Sequence, residues 1–143
     1  YVNGLSVKCS PEILHYWRDR PNRISRTGKN YADNAFLELK LHYFLKTNAN
    51  KNRPFVLWGA GRKGKKLAQL LIEAETKFTW VTNNPRKLQV PIYDQQLEPV
   101  ESILELKRPQ IIIAIANASE QMKVREYLDT KQFLEQEDYT FFC

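Results

Sequence analysis

The residues best placed to do chemistry lie in Gly59-Ala60-Gly61-Arg62-Lys63-Gly64, a Gly-x-Gly-x-x-Gly run. An apolar stretch, Phe55–Trp58, precedes it, and a helical pattern over Lys63–Ala74 follows. In a strand–turn–helix unit the first glycine permits a tight turn. The second lets backbone approach a pyrophosphate, and the third lets helix pack on strand. Arg62, Lys63, Lys65 and Lys66 crowd the first turn of that helix. Helix N-termini carry partial positive charge, so four cations there are locally unfavourable, and a bound anion would reverse the sign of that penalty. The alternative is that these side chains splay into solvent and the glycines serve packing alone.

Three further positions belong to the same edge of a parallel sheet. Asn83 ends a second apolar run, Phe78–Thr82, where a dinucleotide site usually carries an acid for the ribose hydroxyls. Asparagine there counts against NAD, and Asn83-Asn84-Pro85 also reads as a plain turn. Ala116 and Asn117 close the most apolar run, Gln110–Ala116. The predicted phosphate- or nucleotide-binding set is therefore Gly59, Gly61, Arg62, Lys63, Gly64, Asn83, Ala116 and Asn117. No residue predicts catalysis. His15 and His42 are far apart, no Asp-x-Asp occurs, and neither Cys9 nor Cys143 sits in a nucleophile motif or at metal-ligand spacing.

The elements that must hold these positions alternate after Pro54. Strands are expected at Phe55–Trp58, Phe78–Thr82, Gln110–Ala116 and Tyr139–Phe142. Helices are expected at Lys63–Ala74, Glu98–Leu106 (Val100, Ile103 and Leu104 inward) and Ser119–Asp129, with Leu88–Tyr93 as an edge strand or hairpin arm. Asn117 and Glu120 fit a capping box. Such alternation predicts an α/β fold, a small Rossmann-like parallel sheet with flanking helices. The unbroken run Ile111–Ala116 suits an interior strand covered on both faces.

Residues 1–53 differ in character. They hold the whole net charge of +6, while residues 54–143 are neutral. Arg18, Arg20, Arg23 and Arg26 lie beside Tyr16 and Trp17 in a stretch that Pro21 and Gly28 make a loop. A helix is expected at about 31–46, and the Asn-rich stretch Thr47–Pro54 reads as a linker between two regions, 1–53 and 54–143. The composition, 43% hydrophobic and 27% charged, is that of an ordinary globular protein. Its longest apolar run falls far short of the roughly 20 residues of a membrane helix. Two cysteines without metal spacing suggest reduced thiols in a cytoplasmic protein, although they could also pair. Tyr1 opens the chain and Met122 is its sole methionine, so it is expected to be part of a longer protein.

Two segments together resemble a known family. His15-Tyr16-Trp17-Arg18-Asp19-Arg20-Pro21-Asn22-Arg23-Ile24-Ser25-Arg26-Thr27, then Phe55 to Tyr93 with Gly59-Ala60-Gly61 and Asn83-Asn84-Pro85-Arg86-Lys87, look like the C-terminal part of bacterial family 2 glycosyltransferases. There a nucleotide-sugar-binding GT-A domain is followed by a small Rossmann-like domain. The resemblance implies that residues before about 30 end the catalytic domain, and that Arg18, Arg23 and Arg26 contact the donor diphosphate. It also implies that the metal-binding Asp-x-Asp and the catalytic base lie upstream, so this chain alone would be inactive. Expected partners are its own upstream catalytic domain, a phosphate-bearing small molecule such as a nucleotide or nucleotide sugar, and an anionic membrane surface touched peripherally from the cytoplasmic side. No nucleic acid is expected. Two rival readings stay open, an NAD(P)-binding oxidoreductase domain and a purely structural module.

Overall fold

A computed structural model describes residues 36–50 and 52–143, together with 11–13, 15–16, 20–23 and 28 of the N-terminal segment. By contacts the chain divides into Tyr1–Phe36 and Leu37–Cys143. In the first unit the described residues include a tight turn through Pro21-Asn22, closed by the Arg23 N–H donating to the Arg20 carbonyl at 3.2 Å. Arg18 and Arg26, and residues 31–35 of the expected first helix, lie outside the described residues.

The second unit runs α1 (Leu37–Thr47), β1 (Phe55–Trp58), α2 (Arg62–Glu73), β2 (Thr79–Thr82), β3 (Glu98–Pro99), β4 (Gln110–Ile113), α3 (Ala118–Thr130) and β5 (Tyr139–Phe141). The five strands form one parallel sheet in the order β3-β2-β1-β4-β5. This is the small Rossmann-like α/β architecture that strand–helix alternation demands.

Strand periodicity divides the core between two faces. Phe55, Leu57, Trp80 and Ile112 pack on one side with Leu67, Ala68 and Leu71 of α2 and Leu37, Leu41 and Phe44 of α1. Val56, Trp58, Val81, Ile111 and Ile113 pack on the other with Val124 and Leu128 of α3 and with Val100 and Ile103. β1 and β4 are buried at every residue, as expected for strands covered on both faces.

Several expectations are corrected by local geometry. Helix α1 does not belong with the basic segment, because Leu37, Leu41 and Phe44 are part of the sheet's core. The stretch after it is no free linker either. The buried Gln110 carboxamide accepts from Asn50 N at 2.9 Å and donates to the Asn48 carbonyl at 2.8 Å, satisfying backbone that would otherwise need water. The expected helix at Glu98–Leu106 is a two-residue strand followed by a 3₁₀ helix at Val100–Glu105. Three residues per turn align Val100 with Ile103 and rotate Leu104 outward, where it is 46% exposed. Leu88–Tyr93 forms no edge strand, but its end is the expected hairpin arm, Ile92 bridging Gln95 in antiparallel fashion. Ile92 and Gln95 exchange backbone bonds around Tyr93-Asp94, both at positive φ (55° and 58°), a tight turn of the primed type.

Arg53 closes the N-terminal edge of the sheet. Its guanidinium donates to the carbonyls of Arg108 (2.8 Å), Pro109 (2.7 Å) and Glu137 (2.9 Å) and to Asp138 Oδ1 (2.6 Å). One side chain thus ties the approaches to β1, β4 and β5 together, and the pair is largely buried, at 14% and 16% side-chain exposure. Arg53→Ala is expected to cost roughly 2–4 kcal/mol of unfolding free energy in urea titrations, since Asp138 and three carbonyls lose a donor. Arg53→Lys is expected to recover little of it, because an ammonium cannot reproduce the planar fork.

Candidate functional site

The strand order reverses between β1 and β4: the connection from β1 crosses one face through α2, and that from β4 crosses the other through α3. Such a switch point leaves a crevice at the C-terminal ends of the strands. A cleft of about 460 Å³ lies there, and Gly59, Gly61, Arg62, Lys63, Asn83, Ala116 and Asn117 all line it. Seven of the eight residues expected in the binding set are therefore brought together. The eighth, Gly64, is not part of its lining.

The three glycines have different physical reasons. Gly59 sits at φ 113°, a conformation L side chains rarely adopt, and its N–H donates to the Val81 carbonyl at 2.9 Å. Gly64 is buried in the first turn of α2, and a Cβ built on it would lie 2.0 Å from the Gly59 carbonyl oxygen. It is the close-packing glycine of the motif. Gly61 is neither. It has extended backbone (φ −75°, ψ −170°), and a Cβ there meets nothing within 4 Å. The fold does not require glycine at 61.

Two helix N-termini face this cleft, and they are finished differently. At α3 the Asn117 Oδ1 accepts from the N–H groups of Ser119 (3.0 Å) and Glu120 (3.1 Å), which is the expected cap. The reciprocal half of the capping box is not formed, for Glu120 instead accepts from Lys123 Nζ at 2.8 Å. Asn117 is thus committed to its helix. At α2 the N-cap is Gly61, with no side-chain cap and no acid in the first turn. Its amide donors lie beside Arg62 and Lys63 at the cleft wall, while Lys65 and Lys66 are exposed and do not line it.

Asn83 is exposed at the end of β2, but its oxygen is engaged, accepting from the Trp58 indole N–H at 2.7 Å. Its amide NH₂ remains as a donor, and the oxygen keeps a second lone pair. Asn84 fills the turn role, its Oδ1 capping a 3₁₀ turn at Pro85–Lys87. That turn delivers Lys87 to the cleft, where its ammonium donates to the Ala60 carbonyl of the glycine loop. Lys87, Trp58 and Thr82 are cleft residues that motif spacing does not single out. The only sequence sign of Lys87 is a basic pair directly after the turn proline. Arg23 belongs to the other unit and is not among the cleft residues.

The cleft brings together a helix end without a side-chain cap, Arg62 and Lys63 on its first turn, the Asn83 amide and the Glu120 carboxylate. Among the described residues no group of three His, Cys, Asp or Glu could hold a metal. Also among them, no helix is long and apolar enough to cross a membrane. Cys143 is free, and burial pushes its thiol above the ordinary range; Cys9 lies outside the described residues. Neither the scan against family models nor the search of curated proteins finds a match for the chain.

The contrast between the glycines can be measured by chemical denaturation. Gly64→Ala is expected to destabilise by about 2–3 kcal/mol or more, since backbone must move to admit the methyl. Gly61→Ala is expected to stay within about 0.5 kcal/mol of the wild type, because its backbone suits alanine and the space is open.

Proposed function

We propose that residues 37–143 form an accessory domain that binds a nucleotide or another phosphate-bearing ligand at the glycine loop. We further propose that this domain belongs to a family 2 glycosyltransferase, whose sugar-transfer chemistry resides in a GT-A domain upstream. The observation that carries the binding reading is Gly61. Gly59 and Gly64 are accounted for by backbone conformation and packing, whereas the middle glycine is accounted for by neither. Space kept open beside an uncapped helix end is what close approach of a pyrophosphate would use. The glycosyltransferase assignment rests on the Trp17-Arg18…Ser25-Arg26 run and its order relative to the glycine loop. In that reading Arg18, Arg23 and Arg26 face the donor diphosphate as fixed positive charge, and the parent enzyme works on the cytoplasmic side against an anionic membrane surface.

The oxidoreductase reading is disfavoured by Asn83. A ribose diol is held by a carboxylate at that position, whereas Asn83 offers one neutral oxygen that already accepts from Trp58. The purely structural reading is disfavoured by Gly61, which structure does not need.

A thermal-shift panel on the whole chain tests this. Nucleoside diphosphates or nucleotide sugars are expected to raise Tm by several degrees when present well above Kd. Gly61→Val is expected to abolish that response while melting cooperatively, and Arg62→Ala with Lys63→Ala to weaken binding by about tenfold or more. Stabilisation by NAD(H) but by no nucleotide or nucleotide sugar would instead establish the oxidoreductase reading. Silence toward every phosphate ligand would leave a structural module.

A further inference from the structure

Beside the glycine-loop cleft lies a second compartment of about 270 Å³, and the two share Trp58, Asn83, Glu120 and Val124 in their walls. The second is completed by Val100, Glu101, Lys123 and Tyr127. Tyr127 comes from α3 and stands edge-on to Trp58, with ring centroids 5.7 Å apart. Its hydroxyl is buried and has no hydrogen-bond partner among the described residues. Buried hydroxyls are normally paired, so an orphan at the wall of a cavity calls for an explanation. The ring packs against the core that Val124 and Leu128 anchor, which accounts for an aromatic at 127 but not for its hydroxyl.

The neighbours of that hydroxyl define what would satisfy it. The Trp58 N–H is spent on Asn83, so Trp58 offers only ring carbon. Glu101 and Glu120 supply carboxylates, the latter partly neutralised by Lys123 at 2.8 Å. Carboxylates repel phosphate but accept from alcohols. The two neighbouring cavities are therefore lined differently, with Glu120 in the wall they share. Arg62 and Lys63 stand at the glycine-loop end, and Glu101 and Tyr127 at the other.

We infer that the second compartment is a subsite for the sugar ring on the far side of a diphosphate from its nucleoside, when that diphosphate is held at the glycine loop, with Tyr127 and Glu101 bonding the ring's hydroxyls. This rests on the phosphate reading of that loop and adds where, and by which residues, the sugar half is recognised. Ribose and a hexose share this chemistry, and the choice of probes separates them.

Calorimetric titration of the whole chain with ADP against ADP-ribose, and with UDP against UDP-glucose, is the test. The sugar-bearing member of at least one pair is expected to bind about tenfold tighter than its parent diphosphate. The pair that shows the advantage identifies the ring. Tyr127→Phe and Glu101→Gln are each expected to remove most of that advantage and to leave affinity for the bare diphosphate unchanged. Tyr127→Phe should melt no lower than the wild type, because the deleted hydroxyl leaves no described group without its bond. Equal affinity within both pairs, or an equal loss for parent and sugar form in Tyr127→Phe, would overturn the subsite while sparing the phosphate site. Failure of all four ligands to bind would overturn both.

Discussion

The structure of the second unit depends on one close approach, that of Gly64 in α2 to the carbonyl of Gly59 at the end of β1. A Cβ at Gly64 would stand 2.0 Å from that oxygen, so only glycine lets the helix start this near the strand it follows. The same carbonyl accepts from the buried Trp80 indole at 2.9 Å, and the Gly59 N–H bonds Val81. Strand, turn, helix and neighbouring strand are thereby fixed around one residue. The apolar face of α2 (Leu67, Ala68, Leu71) then falls on Leu57 and Ile112 without further adjustment. The uncapped helix end is a consequence of that constraint, since it is held at the sheet's edge with Gly61 exposed ahead of it.

The two edges of the sheet handle polar groups in opposite ways. At the N-terminal edge Arg53 and Gln110 consume loop carbonyls and amides one by one, and the approaches to three strands are stitched together. Buried polar groups cost stability unless paired, so this edge is finished as a structural element. At the C-terminal edge the α3 terminus is capped and the Asn83 oxygen is taken, yet the α2 terminus and the Tyr127 hydroxyl are left over among the described residues. They lie in two cavities with a common wall. One edge is thus finished by side chains, whereas the other keeps a helix end without a side-chain cap and a hydroxyl without a described partner.

Much of this architecture was legible in the residue pattern. β1, α2, β4, α3 and β5 fall within a few residues of where apolar periodicity places them, since each is long enough or apolar enough to carry its own period. The cleft was legible too, because the strand ends that line it are adjacent to recognisable punctuation: glycines after β1, Asn-Pro after β2, Asn-Ala-Ser before α3. The errors came where tertiary context decides. Glu98–Leu106 carries helical spacing for six residues, too few to distinguish 3.0 from 3.6 residues per turn, and the tighter winding turned Leu104 to solvent. The Asn-rich segment after α1 has a linker's composition, but composition does not show that Gln110, some sixty residues on, would bond its backbone. Tyr127 was invisible as a site residue because an aromatic on an amphipathic helix is ordinarily core, and only the cavity beside it reveals an unpartnered hydroxyl.

The Trp58–Asn83 bond shows why position alone misleads at this edge. The side chain at the end of β2 is where an acid would hold a diol, and an amide there suggests a weakened version of the same function. The structure supports a different reading of the residue. An indole N–H that ends β1 at 1% exposure needs an acceptor, and the Asn83 oxygen provides it at 2.7 Å. A carboxylate could accept that bond equally well, but it would place a negative charge at the mouth of a cleft walled by Arg62, Lys63 and Lys87. The amide satisfies Trp58 while remaining neutral and adds an NH₂ donor. Asn83 thus adds no negative charge to a cleft that Arg62, Lys63, Lys87 and Glu120 line, and Glu101 stands in the neighbouring cavity whose wall includes Trp58.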